Sequence, residues 1–262
     1  MRRVISVLTV FVFIAVASCV WANPILYFTF DSADGDVVPD MSGGGHDGVL
    51  KEGAEIVSDA RTGVGALEIE GENETMEVES FAELDSYSDN TYAFWISFTA
   101  EVSGGWDQII VHPAPDSDRS PGLWVTPEGL SIHYRYNPDN LGFWGITQTG
   151  DQDANFFQIG EWYHIVGVTA AGTLVAYVNG AEVASIAVPE VFAQGTRDDM
   201  AGLYVGKSQS YSGPAARFIM DDLVIYDRAL SADEAMELMT GLTAVDASDK
   251  LTSTWGQVKY SE

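Results

Sequence analysis

The chain has 262 residues, a formal net charge of −27 and a single cysteine, Cys19. Only 12 lysines and arginines stand against 39 acidic residues, so the chain has too few cations to neutralise many phosphates, which argues against nucleic acid or an anionic membrane surface as partners. One cysteine excludes an internal disulfide and a structural zinc site built on thiolates.

The N-terminus has the pattern of a secretory signal peptide. Two arginines precede an apolar run at residues 4–16, and small residues follow. The run is shorter than the ~20 residues that cross a bilayer, and cleavage after Ala22 would remove residues 1–22. The sequence Val-Ala-Ser-Cys, which ends at Cys19, also resembles a bacterial lipobox. We therefore expect a secreted, periplasmic or cell-surface protein, with a lipoprotein anchored through Cys19 as the alternative.

Short runs rich in β-branched and aromatic residues follow, with Gly, Asn, Asp and Pro between them. Residues 25–30, 130–136 and 218–226 are examples. Many short strands with turn signals between them are typical of an antiparallel sandwich or barrel. Asn179-Gly180, between two alternating runs, predicts a hairpin.

The one convincing helix is short and C-terminal. Ser231 can cap it, Glu234 lies three residues on as the partner in a capping box, and Gly241 can end it. No linker divides the chain, so we predict a single all-β domain at residues 23–242. The remaining residues, 243–262, form a tail outside the fold.

Seven segments occur in an order that resembles one known family. The chain resembles the LamG-like jelly-roll domains (laminin G type 3) of the concanavalin A-like lectin/glucanase superfamily. The resemblance implies a β-sandwich of two antiparallel sheets, and it implies fold more firmly than function. The segments that carry it are residues 26–31, 40–48, 65–71, 94–96, 160–166, 177–180 and 219–231.

Four acidic residues are candidates for a calcium site. If the first strand pairs with the last, Asp31 lies near Asp221 and Asp222, and neighbouring carboxylates repel each other unless a cation lies between them. Strand alternation turns Asp221 inward and Asp222 outward, which favours Asp221 as the ligand. Family members often hold a structural calcium near these motifs, and the Gly-rich loop with Asp47 lies in the same region. The alternative is that these acids accept hydrogen bonds from turns.

A second candidate site would bind carbohydrate on aromatic faces. Trp106 and Trp144 lie in Gly- and Asp-rich stretches, as do Trp124 and Tyr211, where packing explains an aromatic less easily. In residues 130–136, alternation separates a core face from an opposite face. The core face is expected to carry Ile132, Tyr134 and Tyr136, and the opposite face Ser131, His133 and Arg135. The predicted ligand-binding residues are Trp106, His133, Arg135 and Trp144, with packing as the alternative role.

A catalytic pair is not evident. Glycoside hydrolases use two carboxylates, and those on this scaffold show Glu-x-Asp-x-Glu or a close variant. Glu83-Leu84-Asp85 matches the first half of that motif and lacks the second Glu. We therefore predict a protein that is not an enzyme.

Together these features predict a secreted, non-catalytic recognition module. Its partner would be an extracellular glycan or glycoprotein, and a structural calcium ion would stabilise the module. One alternative is a structural or adhesive envelope protein without a sugar site. A glucanase-like hydrolase is the third possibility, and it requires two carboxylates in a cleft.

Overall fold

The computed structural model describes residues 23–86, 88–114, 119–146, 155–192, 195–196 and 198–240. The predicted signal peptide with Cys19, the tail at 243–262 and the predicted helix end at Gly241 lie outside these residues. Within the described part of the chain, no helix has the length and apolar character needed to cross a membrane.

The described residues form two antiparallel sheets of eight strands each and a single short helix, joined by loops and turns. The helix α1 spans Ala232–Glu237, and a 3-10 turn at Leu238–Thr240 follows it. In chain order the strands are β1 Leu26–Phe28, β2 Val37–Val38, β3 Gly48–Lys51, β4 Glu55–Val57, β5 Ala66–Ile69, β6 Thr75–Val78, β7 Asn90–Phe98, β8 Asp107–Val111, β9 Gly122–Val125, β10 Ile132–Tyr136, β11 Leu141–Phe143, β12 Trp162–Ala170, β13 Thr173–Val178, β14 Ala181–Ala187, β15 Leu203–Gly206 and β16 Phe218–Tyr226.

The sheets form a sandwich around one apolar core. The first sheet has the order β14-β13-β12-β7-β16-β5-β4, and β1 also pairs with β16. The second sheet has the order β11-β10-β9-β8-β15-β6-β3-β2. Side chains from both sheets meet in the core, where Phe94, Phe218 and Ile132 are among the fully buried residues. The predicted all-β sandwich is confirmed.

Strand β10 follows the predicted alternation. Ile132, Tyr134 and Tyr136 belong to the central core. The residues between them, His133 and Arg135, therefore project from the opposite face of the second sheet.

The short helix covers part of the outer face of the first sheet. Ser231 accepts a hydrogen bond from the Glu234 backbone, and the Glu234 side chain accepts one from the Ser231 backbone, which is the predicted capping box. Leu238 and Ala235 pack with strand residues such as Val166 in a second apolar cluster. Among the described residues no helix covers the second sheet in this way.

A bulge interrupts β16 where its partner changes. Residues 218–220 pair with β5 and residues 223–225 pair with β1, and the pairing with β7 shifts register between Asp221 and Val224. Asp222 takes a positive φ of 48° there. Strict alternation therefore fails at this point, and both carboxylates lie within hydrogen-bond distance of the same hydroxyl, that of Thr62. The prediction that Asp221 and Asp222 point to opposite faces is wrong for this reason.

Candidate functional site

The outer face of the second sheet carries a cleft of about 260 Å³. We call it the tryptophan cleft. Its lining residues are Trp106, Arg119, Trp124, His133, Asn140, Trp144 and Tyr211.

Strand ends and turns bring these residues together. His133 on β10 lies directly opposite Trp124 on β9. Trp106 immediately precedes β8, and Trp144 immediately follows β11. Because β8, β9, β10 and β11 are consecutive neighbours in the sheet, these four positions lie on or directly beside adjacent strands.

His133 is surrounded by three indole rings. Its ring centroid lies 4.6 Å from that of Trp106, 5.1 Å from that of Trp144 and 5.7 Å from that of Trp124. The Trp106 and Trp144 rings are 6.2 Å apart. These two indoles are 36% and 46% exposed, whereas Trp124 is buried. The cleft thus offers two aromatic surfaces to solvent above a buried histidine.

Arg119 forms one wall of the tryptophan cleft. Its guanidinium carbon lies 4.9 Å from the ring centroid of Trp124. One nitrogen donates a hydrogen bond of 2.9 Å to the Tyr211 hydroxyl, and another donates to the Asn140 side-chain oxygen. The stacking and the hydrogen bonds fix the guanidinium plane.

Arg135 lies behind Trp144. Its guanidinium carbon is 4.3 Å from the Trp144 ring centroid, and its Nη1 donates to the Gly142 carbonyl over 3.3 Å. The residues paired with Arg135 on the two neighbouring strands are both glycines, Gly122 and Gly142. A side chain has no room at Gly142, because its Cβ atom would lie 2.2 Å from the Tyr134 carbonyl oxygen.

Gly122 also makes room for an indole. A Cβ atom at this position would overlap the outer edge of the Trp124 ring and would crowd Cδ of Arg119. The Trp124 ring therefore occupies the space that a side chain at Gly122 would need.

Burial and two positive charges keep His133 neutral. Burial, then the charges of Arg119 and Arg135, lower the pKa of His133 to about 3. Burial and the charge of Arg119 also lower the pKa of Arg135 to about 10. Near neutral pH the arginines therefore carry the positive charge of this region, and His133 is an uncharged hydrogen-bonding group.

The four residues predicted to bind a ligand, Trp106, His133, Arg135 and Trp144, lie together in the structure. Three line the tryptophan cleft, and Arg135 supports it from behind Trp144. Trp124 and Tyr211, which the sequence marks as aromatics in Gly- and Asp-rich stretches, complete the lining.

Sequence reasoning missed Arg119 and Asn140. The turn 137–140 carries a signal for Asn140, because Asn-Pro-Asp-Asn is turn-like and Asn140 has a positive φ of 50°. Nothing local points to Arg119.

Three of the acids predicted to bind calcium hold a loop in place by hydrogen bonds. Asp221 Oδ2 accepts hydrogen bonds from the backbone of Arg61 and Thr62, at 2.9 and 2.8 Å. Asp222 accepts from the Thr62 and Tyr27 hydroxyls, and Asp31 accepts from the Val64 backbone over 2.6 Å. Residues 61 and 62 are thereby held against β16, and residue 64 is held by Asp31 just after β1.

The ionised forms of Asp221 and Asp222 are destabilised by burial and by a nearby negative charge. Burial raises the pKa of Asp221 to about 6, and the charge of Asp222 adds to this rise. Burial and the charge of Asp31 likewise raise the pKa of Asp222. Within the described residues, no three His, Cys, Asp or Glu side chains form a group that could hold a metal ion. Asp47, the fourth predicted ligand, accepts a hydrogen bond of 2.9 Å from the Asp40 backbone.

The carboxylate of Asp85, part of the incomplete glucanase motif, makes structural hydrogen bonds. Its carboxylate accepts hydrogen bonds from the Thr196 and Ser80 hydroxyls and lies 3.1 Å from Nε2 of His112. Burial raises the pKa of Asp85, but these hydrogen bonds outweigh it and lower the pKa overall. Asp85 thus joins three separate segments, and it does not line the tryptophan cleft.

Comparisons with solved structures support the architecture. Domain 4 of an extracellular GH43 arabinanase from Geobacillus stearothermophilus, in complex with arabinotriose, matches with a TM-score of 0.62 and 16% identity, over 83% of this chain and 98% of that one. The binding domain of Paraclostridial Mosquitocidal Protein 1 matches with a TM-score of 0.59 and 16% identity, over 83% of this chain and 52% of that one.

An enzyme also contains this fold. Trypanosoma rangeli sialidase in complex with 2,3-difluorosialic acid matches with a TM-score of 0.57 and 17% identity, over 83% of this chain and 33% of that one. This chain therefore spans about a third of the sialidase. At such identities the likeness shows the fold alone.

Sequence comparison identifies the family. A comparison with curated proteins finds no match. The profile of Laminin_G_3, described as the concanavalin A-like lectin/glucanases superfamily, matches residues 70–236. That match covers more than half of the 262 residues, so the chain belongs to the Laminin_G_3 family of the concanavalin A-like superfamily.

Proposed function

We propose that this protein is a secreted recognition module that binds an extracellular saccharide, free or on a glycoprotein, in the tryptophan cleft. The observation that carries the proposal is the pair of half-exposed indoles, Trp106 and Trp144, above His133. Apolar sugar faces stack on such rings, and neighbouring polar groups orient the hydroxyls. A volume of about 260 Å³ suits a small part of a glycan, such as one end.

Packing alone accounts poorly for these two indoles. A buried aromatic gains stability by leaving water, but Trp106 and Trp144 keep 36% and 46% of their surface exposed. They converge on one point from two different segments of the chain. The arabinanase domain that shares this fold is described in complex with arabinotriose, which supports a saccharide as the ligand class.

The composition of the cleft favours binding over hydrolysis. Hydrolysis of a glycosidic bond on this scaffold requires a pair of carboxylates close to the sugar. None of the seven described residues that line the cleft carries a carboxylate. We therefore propose that the protein binds its saccharide without cleaving it.

A screen on a glycan array tests this proposal. The protein as secreted should bind a defined group of saccharides, and the Trp106→Ala and Trp144→Ala variants should each lose at least about tenfold in affinity. Trp162→Ala is the matched control, because this half-buried tryptophan lies on β12 in the other sheet. Folded protein that binds no glycan would overturn the proposal in favour of a structural or adhesive role.

A structural calcium ion is a second part of the proposal. Asp31, Asp221 and Asp222 are the acids that would contribute to it, and backbone oxygens would have to complete the coordination, because no three acidic side chains form a metal-holding group among the described residues. The support is that burial raises the pKa values of Asp221 and Asp222, and that the charges of Asp222 and Asp31 respectively add to these rises, a cost that a bound cation would offset. Oxygen-only ligands are those that calcium prefers.

A further inference from the structure

Gln108 is a fully buried polar residue on β8, two residues after Trp106. Its side-chain oxygen accepts hydrogen bonds from the backbone N–H and the hydroxyl of Ser208, at 2.9 and 2.8 Å. Its side-chain nitrogen donates to the Gly213 carbonyl. Burial of an amide side chain is unfavourable unless it finds such partners. The Gln108 side chain therefore binds one segment that is far away in the sequence.

The backbone of Gln108 holds the same segment. Its N–H donates to the Pro214 carbonyl, and its carbonyl accepts from the Ala216 N–H, both over 2.8 Å. These two bonds form a short parallel bridge between Gln108 and Ala215. Side chain and backbone together therefore attach residues 208–216 to the start of β8.

Lys207 closes this segment into a loop. We call residues 207–213 the Tyr211 loop. The Lys207 ammonium donates hydrogen bonds to the carbonyls of Tyr211 and Gly213, the second over 2.6 Å. Because the Gly213 carbonyl accepts from both Lys207 and Gln108, the two side chains together fix the end of the loop.

The Tyr211 loop contacts two aromatic residues of the tryptophan cleft. A Cβ atom at Gly213 would lie 2.5 Å from the Trp106 carbonyl oxygen, so the loop packs directly on the Trp106 backbone. The Tyr211 ring meets the Trp124 ring edge-on, with 4.9 Å between the centroids. Gln108 itself pairs with Trp124 across β8 and β9. A change at Gln108 would therefore alter the surroundings of both tryptophans.

We infer that Gln108 is a positioning residue for the tryptophan cleft, because it fixes the Tyr211 loop in place before a saccharide binds. This inference rests on the proposed function and concerns how its site is organised. Gln108 is buried and does not line the cleft, so it acts through the loop and not by touching the ligand. A wall that is already ordered in the free protein spares binding the cost of ordering it, which raises affinity.

The variant Gln108→Met tests the inference, because methionine has a similar length and cannot make these hydrogen bonds. The glycan identified on the array should bind at least about tenfold more weakly in calorimetric titration. In the protein without glycan, the Ser208 amide should exchange its hydrogen faster, because its acceptor is lost. The indole signals of Trp106 and Trp124 should shift as well.

The variant Thr169→Val is the matched control. It removes a buried hydroxyl that donates to the Tyr136 hydroxyl over 3.0 Å, away from the cleft. It should lower the melting temperature and leave both the affinity and the Ser208 exchange unchanged. If Gln108→Met does not fold, Ser208→Ala removes one of the hydrogen bonds to Gln108 and should weaken binding about threefold.

The possible results separate this inference from the proposed function. Unchanged affinity in folded Gln108→Met, or in Ser208→Ala where that variant replaces it, overturns the inference and leaves saccharide binding intact. Weaker binding with unchanged Ser208 exchange also overturns it, and so does an equal loss of affinity in Thr169→Val. No binding of any glycan by the folded, unmodified protein overturns the proposed function, and the inference with it.

Discussion

At the scale of single residues, the chemistry of the cleft depends on the protonation state of His133, which the surrounding residues determine. Three indoles and two guanidiniums surround this imidazole, so its neutral form is strongly preferred. A neutral imidazole can both donate and accept a hydrogen bond, which suits contact with sugar hydroxyls.

The pH dependence of stability should reveal this environment. The folded-state pKa of His133, about 3, lies below the value of ~6.5 for an unfolded chain. The stability that neutral His133 contributes is therefore present above about pH 6.5 and is lost as the pH falls towards the folded pKa. When the pH falls from about 7 to about 4.5, the unmodified protein should lose about 2–3 kcal/mol more unfolding free energy than the His133→Gln variant does. Urea denaturation at both pH values measures this, and equal losses would contradict it.

The acids near Thr62 lead to a second prediction about stability, which concerns calcium. If Asp31, Asp221 and Asp222 hold a calcium ion, saturating calcium at about 100 times its dissociation constant should add ~2.7 kcal/mol to the unfolding free energy. Thermal melts with calcium and with EDTA measure the effect. Asp31→Asn should abolish it, and Glu161→Gln, an exposed acid at the start of β12, should preserve it. Identical melts in calcium and in EDTA would rule out the site.

At the scale of elements, one glycine on β9 shapes the cleft. In Gly122→Ala the new methyl group would collide with the outer ring atoms of Trp124, so this buried ring would have to shift. We expect a loss of stability of about 1–3 kcal/mol and at least about tenfold weaker saccharide binding, because Trp124 and the stacked Arg119 would both move. Calorimetric titration and a thermal melt give the two quantities.

A second glycine provides the control for this variant. Gly105, next to Trp106, has room for a methyl group, with Ser103 Oγ nearest at 3.4 Å. Gly105→Ala should therefore bind as the unmodified protein does. Unchanged affinity in Gly122→Ala would show that the position of Trp124 does not matter for binding.

The strand pattern predicted some elements and missed others for physical reasons. Period-two alternation in β10 correctly separates core residues from His133 and Arg135, because that strand pairs regularly on both sides. The same reasoning fails at Asp221 and Asp222, because a bulge where β16 changes partner breaks the period. Arg119 was missed because an arginine in a loop acquires its role from residues that are distant in the sequence, such as Tyr211.

At the scale of the whole molecule, the two outer faces of the sandwich carry different kinds of residues. The short helix covers part of the first sheet with apolar contacts. The second sheet presents aromatic and basic groups in an otherwise acidic protein. The order of motifs predicted the fold, but their order could not show that residues 106, 119, 133 and 144 meet, since that requires the pairing of β8 to β11.

The central claim is that a saccharide occupies the tryptophan cleft, and the indole resonances of nitrogen-15-labelled protein test it most directly. The chain contains seven tryptophans, and single substitutions assign their Nε1–H signals. Titration with a glycan identified on the array should shift the signals of Trp106, Trp124 and Trp144 and leave those of Trp95 and Trp162, in the other sheet, unchanged. Shifts confined to Trp95 and Trp162 would contradict the account.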